Sequence, residues 1–311
     1  MSGRARHPVP AWQSPEPRLV LHVIPTRRAR GGQREARALA DRLDLPGVRA
    51  HRVLSLFAGF DEVRVDVALD VPGGRAPAVG FDPRAVLALR RSLRRLDPAV
   101  VVAHGSEPLK YLIPAMGRRP RPLAYYAIGT YSGSERATQL RLWRSLMSRA
   151  DVVAAEGREV ADECEGRFGV PSTRIVLTPN GRDPSVFHPR HPRSGTPTIA
   201  FVGALTEGKR PRAFVDAAAG LRDGHRAFRA VLVGDGPGAE ELAEPARAAG
   251  VELLGHRDDI PDLLREADVF LFPSAPAGEG MPGVLIEAGL SGLPTVATAV
   301  PGVASVLVDG E

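Results

Sequence analysis

Residues 279–298 read EGMPGVLIEAGLSGLPTVAT, and their pattern indicates the class of fold. Pro282 is a residue favoured at the start of a helix and Gly292 follows the apolar run as a stop, so the stretch predicts a helix over 282–290. A strand, DVFLFP at 268–273, precedes this helix, and a second strand, PTVAT, follows it. A strand, a helix and another strand in this order are typical of a parallel sheet.

The start of the predicted helix is a candidate anion site. The first amides of a helix have no partner within the helix, so the backbone near Gly283, Val284 and Leu285 can hold a diphosphate. Glu287 lies on the same helix face about one turn further on, where its carboxylate would accept hydrogen bonds from a vicinal diol such as a ribose. Glu279 lies in the loop ahead of the helix and would face sugar hydroxyls beyond the diphosphate.

Short β-rich apolar runs alternate with amphipathic helical stretches along nearly the whole chain. This alternation predicts βαβ units, and therefore an α/β fold built on parallel sheets. The predicted strands are 19–24, 51–56, 99–104, 123–128, 151–156 and 174–179 in the first half, and 198–203, 228–234, 251–255, 268–273, 294–298 and 305–308 in the second.

A chain of 311 residues is long enough for two domains of moderate size. The segment HPRHPRSGTPT, residues 188–198, is rich in proline and polar residues, as a domain linker should be. We therefore expect a disordered tail over 1–17, a Rossmann-like domain over 18–190 and a second such domain over 191–311. The two sheets would face a central cleft, with ligand at the carboxyl ends of the strands.

Composition and charge exclude several classes of function. The formal net charge is +5, but the basic residues, only two of which are lysines, form no patch interleaved with aromatic residues, so nucleic-acid binding is not expected. The single cysteine, Cys164, excludes an intrachain disulfide. The N-terminal residues lack the apolar core of a signal peptide, and no apolar run is long enough to span a membrane, so we expect a cytoplasmic protein.

The segment DPRAVLALRRSLRRLDP, residues 82–98, predicts an amphipathic helix with an apolar stripe and an arginine-rich side. Two interpretations are open. The arginines either form a solvated face on a helix that covers the sheet, or make a peripheral contact with the inner face of a membrane. The stripe is Val86, Leu89, Leu93 and Leu96, and the arginines are Arg90, Arg91, Arg94 and Arg95.

The spacing E-x7-E from Glu279 to Glu287, with several further segments in order, resembles the retaining family 4 glycosyltransferases of the GT-B fold. Those segments are similar to the family's glycine loop and first helix, its strand ending in a histidine at the cleft, its interdomain segment and its donor-domain opening. In chain order they are TRRARGGQREARALADRL (26–43), VVAHG (101–105), IVLTPNGRDPSVFHP (175–189), FVGALTEGKRP (201–211) and VLVGDGP (231–237).

The resemblance implies roles for individual residues. Lys209 would neutralise the donor diphosphate, Glu287 would hold the nucleotide ribose, and Glu279 would contact the donor sugar. His104 would contact the sugar as well, although a satisfied structural histidine is the alternative. The remaining donor-binding residues that we expect are Gly280, Met281, Arg210 and His256, together with Gly31 and Gly32, whose alternative is an ordinary turn from strand to helix.

The sequence also departs from the family. Ala204 stands where many members have an arginine, and either Arg210 or Arg212 would have to compensate. Asn180 is expected to form a tight turn with the glycine that follows it. The chain ends at VLVDGE, where relatives continue, so we expect an incomplete second domain. No D-x-D pair is present, which leads us to expect neither a metal nor a cofactor beside the donor.

The function expected from these observations is retaining transfer of a sugar from a nucleotide diphosphate sugar to an acceptor hydroxyl. Two alternatives remain open. One is a GT-B epimerase or phosphorylase-like enzyme that binds the same donor. The other is a truncated, noncatalytic protein that binds nucleotide sugars. The sequence identifies neither the donor nor the acceptor, which could be a glycan, a lipid-linked sugar or a small molecule.

Overall fold

The structure is a computed structural model. It describes residues 18–28, 31–59, 61–72, 80–117, 121–130, 137–189, 195–222, 224, 227–275, 280–300 and 302–310. The expected tail over 1–17 therefore lies outside the described residues.

The first sheet contains seven of the described strands in the order β3-β2-β1-β4-β5-β6-β7. The pairings of β1 with β2 and β4, of β2 with β3, and of β4 with β5 are all parallel, as the βαβ pattern predicts. The strands are β1 (Arg18–Thr26), β2 (Arg49–Phe57), β3 (Val67–Val71), β4 (Val100–His104), β5 (Leu123–Ala127), β6 (Val152–Ala155) and β7 (Ile175–Leu177).

Helices connect these strands. They are α1 (Gly31–Leu43), α2 (Pro83–Leu96), α3 (Ser106–Met116), α4 (Ala137–Met147) and α5 (Arg158–Gly166). In α2 the apolar stripe packs as expected, since Leu89 and Leu93 are buried. Arg90 does not lie on a solvated arginine face, which was one of the two interpretations. Its guanidinium donates to the carbonyls of Pro114 and Ala115 at the end of α3, so it caps a neighbouring helix.

The second sheet contains five of the described strands in the order β10-β9-β8-β11-β12, with parallel pairings. They are β8 (Thr198–Val202), β9 (Arg229–Val233), β10 (Val251–Gly255), β11 (Val269–Phe272) and β12 (Thr295–Ala297). The helices among them are α6 (Pro211–Arg222), α7 (Ala239–Ala248), α8 (Ile260–Glu266) and α9 (Gly283–Leu290).

Buried apolar side chains cover both faces of the second sheet. One cluster joins Phe201 and Leu232 on the strands to Phe214 on α6, and the other joins Phe270 on β11 to Leu285 on α9. A parallel sheet that is buried on both faces explains why these strands read as nearly continuous apolar runs.

The described chain divides into two compact units. The first lies within Met1–Ala127, Ala137–Ala154 and Phe168–Val176. The second lies within Ile128–Arg136, Ala155–Arg167 and Leu177–Glu311, so it includes α5 as well as the second sheet.

Three predictions of secondary structure were wrong in detail. The predicted strand at 305–308 is not formed, because Val303–Ser305 make a turn of 3-10 helix. The strand β3 has no counterpart among the predictions. Pro282 is the residue before α9 rather than its first helical residue, while Gly292 ends the helix in the left-handed region as expected.

Among the described residues, no helix is both long enough and apolar enough to cross a membrane.

Candidate functional site

The strand order of the second sheet locates its candidate site. Connections leave β8 towards β9 on one side and β11 towards β12 on the other, so the order reverses between β8 and β11. Ligands of open parallel sheets bind at the carboxyl ends of the strands at such a reversal. Lys209 lies in the loop after β8, and the loop after β11 leads to α9. Both elements of the predicted site are therefore at the position where this rule expects a ligand.

Glu287 in α9 makes an ion pair that the sequence reasoning missed. Arg182 Nε donates to Glu287 Oε1 at 2.6 Å, and both side chains are about four-fifths buried, with exposures of 20% and 17%. Less water screens the attraction in such a pair than in a surface ion pair, and removal of either partner would leave a partly buried charge unpaired. Arg182 belongs to the segment PNGRD at 179–183, which is 105 positions away from Glu287 along the chain.

The guanidinium of Arg182 also touches the first residue of α9. A Cβ added at Gly283 would lie 1.9 Å from Arg182 Nη2 and 2.8 Å from Cζ, far inside van der Waals contact. Gly283 is therefore the residue that lets an arginine approach the amino end of this helix. The amino end of a helix carries partial positive charge, so an added cation favours an anion there.

Asn180 fixes the loop ahead of α9. Its Nδ2 donates to the Met281 carbonyl at 2.8 Å, and its backbone amide lies 3.2 Å from Met281 Sδ. The expected tight turn at Asn180 is wrong, because the residue lies in an irregular segment and the turn comes at 184–186. PNGRD thus holds α9 from two sides, with Asn180 on the loop and Arg182 on the helix.

Gly280 is packed too closely for any side chain. An added Cβ would lie 2.6 Å from the Gly129 amide nitrogen and 3.1 Å from Oε2 of the buried Glu156. Gly280 therefore has a packing role in addition to the predicted one in donor binding. Glu279, one of the two carboxylates of the E-x7-E spacing, lies outside the described residues.

Lys209 lies at the switch point of the second sheet. Its Nζ is 5.5 Å from the centre of the Phe272 ring, which is the last residue of β11. The loop that carries it is tied to the segment after β11, since the Ala275 amide donates to the Gly208 carbonyl at 2.8 Å. Lys209 is therefore anchored beside the segment that leads to α9.

Arg210 and Arg212 are the two residues expected to compensate for the arginine missing at position 204. Ala204 is exposed. Arg210 is also exposed and ends a 3-10 turn with a positive φ of 49°. Arg212 pairs with Asp216 on α6 at 2.7 Å. Arg182, which the sequence analysis did not name as a site residue, lies at the amino end of α9. Of these arginines it is the cation nearest to the predicted anion site on that helix.

His256 and the glycine-rich loop lie on the other side of β8. His256 follows β10, three strands from β11 in the sheet, and its half-exposed ring faces Asp258 at 3.5 Å. In the loop GDGPG at 234–238, added Cβ atoms at Gly234 and Gly236 would meet backbone of the loop after β8 at 1.9 and 2.6 Å. Close contact between the two loops explains why these residues are glycines.

In the first unit, two predicted elements lie at the reversal of the first sheet, between β1 and β4. Gly31 and Gly32 begin α1 after β1, as expected. His104 is the last residue of β4 and is only 3% exposed. Its ring stacks on Tyr126 with centres 5.2 Å apart, and its Nε2 lies 2.8 Å from Nδ1 of His22.

His22 also contacts a third histidine, His51, through its other ring nitrogen. His22 Nε2 lies 2.9 Å from Nδ1 of His51, so three imidazoles form a row. Burial lowers the pKa of His22 to about 2 and that of His104 to about 3, because a charged ring loses its hydration there. The pKa of His51 is lowered for the same reason. Sequence reasoning missed His22 and His51, since each is an isolated histidine in an apolar strand.

Within the described ranges, no three His, Cys, Asp or Glu side chains lie together as metal ligands. Metal independence stays a prediction, to be tested by chelation.

The two parallel sheets have the architecture of GT-B proteins. Residues 29–186 match the family model described as Glycosyltransferase Family 4, and residues 196–311 match the model described as Glycosyl transferases group 1. The chain therefore belongs to glycosyltransferase family 4, as the sequence motifs predicted.

Curated relatives match part of their length. EpsF of Bacillus subtilis is 31% identical over 181 residues, which are 53% of this chain and 47% of EpsF. A D-inositol 3-phosphate glycosyltransferase of Nocardia farcinica is 30% identical over 238 residues, which are 68% of this chain and 49% of that protein. The chain thus spans about half the length of these relatives.

Solved structures share the fold at low identity. HepE from Anabaena, solved in complex with UDP and glucose, has a TM-score of 0.74 at 21% identity, with 94% of this chain and 84% of HepE covered. Sucrose-phosphate synthase from Thermosynechococcus elongatus has a TM-score of 0.73 at 15% identity with the same coverage of 94% and 84%. These likenesses establish the GT-B fold.

Proposed function

We propose that this chain transfers a sugar from a nucleotide diphosphate sugar to an acceptor hydroxyl, with retention at the anomeric carbon. The observation that carries the proposal is Glu287, held in place by Arg182 one turn into a helix that begins at the switch point of the second sheet. Membership of glycosyltransferase family 4 supports it. HepE, which shares the fold, was solved with UDP-glucose.

The diphosphate would bind at the amino end of α9. The amides of Gly283 and Val284 have no helical acceptor before them, and Arg182 adds a positive charge beside them. The Leu285 amide, which the sequence also suggested for the diphosphate, instead donates to the Pro282 carbonyl at 3.1 Å. Lys209 approaches from the loop after β8. Two side-chain cations and a helix end can stabilise the charge that develops on the leaving diphosphate, and each such contact contributes about 3 kcal/mol.

The ribose would bind to Glu287. Arg182 engages Oε1, which fixes the plane of the carboxylate and leaves Oε2 as the oxygen we assign to the ribose diol. Arg182 would then be both a charge for the diphosphate and a positioning residue for the carboxylate. Arg182 would thus take over the diphosphate contact of the arginine that many family members have at position 204.

The sugar would lie beyond the diphosphate. We assign Glu279 and His104 to sugar contacts, with Gly280 and Met281 shaping the loop between Glu279 and α9. Gly31 and Gly32 would allow backbone to approach the ligand closely, while Arg210 and His256 would contact the nucleotide end of the donor. We assign no nucleophile among the described residues. As the family resemblance implies, the acceptor hydroxyl would attack on the face that the diphosphate leaves, and its proton would pass to a phosphate oxygen.

Calorimetry with a panel of nucleotide diphosphate sugars, including UDP-glucose, tests the site. We expect one donor to bind saturably and Glu287→Gln to lose that binding. Glu252→Gln is the matched control, because Glu252 also pairs with an arginine in the second unit but lies on β10 away from α9. Equal donor affinity in wild type and Glu287→Gln would refute the site.

Product analysis separates the alternatives. Slow donor hydrolysis, and a product whose anomeric configuration matches that of the donor, support a retaining transferase, and activity in the presence of EDTA supports metal independence. A donor sugar returned with inverted stereochemistry at one carbon would indicate an epimerase. Sugar 1-phosphate released in the presence of phosphate would indicate a phosphorylase. Binding without any turnover would indicate a noncatalytic protein.

A further inference from the structure

The three histidines of the first unit form a row across neighbouring strands. In the register of the sheet, Val20 on β1 is the partner of His51, and His22 is the partner of Val102 on β4. Partners in register share a face, and residues two apart on one strand share it too. His51, His22 and His104 therefore lie on one face of the sheet, on three adjacent strands, with His22 in the middle.

These rings are buried and uncharged at neutral pH. His22 and His104 are each 3% exposed and His51 is 8% exposed. Among the described residues, the charged groups that act on the row are Arg37 on α1, Asp44 directly after α1, and Arg49 at the start of β2. Only Asp44 favours a charged ring, and it acts on His51 alone.

A neutral imidazole has one N–H and one bare nitrogen, so it donates through one and accepts through the other. His22 uses both nitrogens, which means that it donates to one neighbour and accepts from the other. The row then has two states. In one, all three protons are on Nδ1, and in the other, all three are on Nε2.

The two states differ at the ends of the row. In the Nδ1–H state, His104 Nδ1 is a donor and His51 Nε2 is an acceptor, and in the Nε2–H state these roles are exchanged. Both end nitrogens are buried and have no hydrogen-bond partner in the part of the chain that the structure describes. A polar nitrogen left without a partner in the interior is costly, so an end that meets a ligand hydroxyl is a favourable arrangement.

We propose that His22 and His51 are positioning residues which, by sharing one tautomer with His104, set whether His104 Nδ1 donates or accepts a hydrogen bond. The coupling of the three rings stands on the geometry of the first unit alone. Its consequence for a bound sugar rests on the function proposed above, in which His104 contacts the sugar.

Nitrogen-15 NMR on the full chain with labelled histidine tests the coupling, because protonated and bare ring nitrogens have well-separated shifts. The signals are assigned by single His→Leu variants. At pH 7 we expect His22, His51 and His104 to have the same tautomer. Different tautomers on neighbouring rings, or a charged ring in the row, would overturn the proposal whether or not the protein is active.

Variants distinguish positioning from simple packing. His22→Leu removes both contacts, and we expect the His104 signal to change from one tautomer to a mixture, whereas His188→Leu, at an exposed position, leaves it unchanged. An unchanged His104 tautomer in folded His22→Leu would overturn the proposal. If His22→Leu does not fold, the wild-type spectrum already decides between shared and mixed tautomers.

Kinetics of His51→Leu test whether the shared tautomer affects catalysis through His104. His51 is separated from His104 by a whole ring, so we expect kcat to fall by about fivefold or more with the donor KM within about twofold, and the pH profile to shift. Equal kcat and pH profile in wild type and His51→Leu would overturn the functional part. An inactive wild type with one shared tautomer would instead refute the proposed function and leave the coupling intact.

Discussion

Replacing Gly283 by alanine tests whether Arg182 acts at the amino end of α9. The new Cβ would lie 1.9 Å from Arg182 Nη2, so the guanidinium has to move by about 1.5 Å to reach an ordinary contact. Arg182 has a flexible side chain and can do this, but its 2.6 Å hydrogen bond to Glu287 would be lost. The fold should persist, because Gly283 has an ordinary helical φ and alanine favours helices.

The expected cost is that of a charge-assisted hydrogen bond. Such a bond contributes about 1.5–3 kcal/mol, which corresponds to donor binding about 10- to 150-fold weaker by calorimetry. The matched control is Gly289→Ala in the same helix, where an added Cβ meets nothing within 4 Å. We expect the control to bind donor like wild type.

A double-mutant cycle identifies the cause. If Gly283→Ala acts by displacing Arg182, it has no further effect in an Arg182→Ala background. An equal loss in both backgrounds would mean that the Cβ collides with the ligand itself. Wild-type affinity in Gly283→Ala, combined with weak binding in Arg182→Ala, would refute the idea that the two residues are coupled.

Three further predictions follow from charge, burial and backbone geometry. Lys209→Ala should weaken donor binding or turnover at least about tenfold, whereas Lys110→Ala, which removes the only other lysine, should not; equal affinities would contradict the role of Lys209. His22 and His104 have lowered pKa values in the folded protein, so they bind protons more weakly there than in the unfolded chain. The free energy of unfolding should therefore be at its full value above pH 6.5 and fall below it, by about 2 kcal/mol per ring at pH 5. Urea titrations at several pH values measure this fall. Gly236→Ala, at a φ of 155° against backbone, should lower the free energy of unfolding by more than about 1 kcal/mol in the same titrations.

Sequence patterns predicted most of the fold and suggested several residues of the candidate site. The strands β1 and β8, the helix α9 and the position of Glu287 follow from local periodicity and from helix signals, which depend on neighbouring residues only. The family motifs added Lys209 and His104, which lie where parallel sheets place their ligands.

The rest depends on contacts between distant residues. Arg182 reaches Glu287 across 105 positions, and His22 reaches His104 across 82, so no local pattern contains either pair. A useful signal was present nonetheless. Arg182 lies in the PNG segment that resembles the family's, in a chain that has Ala204 where many members have an arginine. It is a candidate replacement that sequence reasoning could have considered.

The close packing around Gly280 restricts which amino-acid substitutions this protein can tolerate. Gly302 has a φ of 80°, and a Cβ there would overlap the Gly280 carbonyl oxygen at 1.4 Å. Two stretches of main chain are in direct contact at this point, and no choice of rotamer can relieve an added atom. Substitutions that preserve the fold must therefore accumulate elsewhere, at exposed positions such as Ala204.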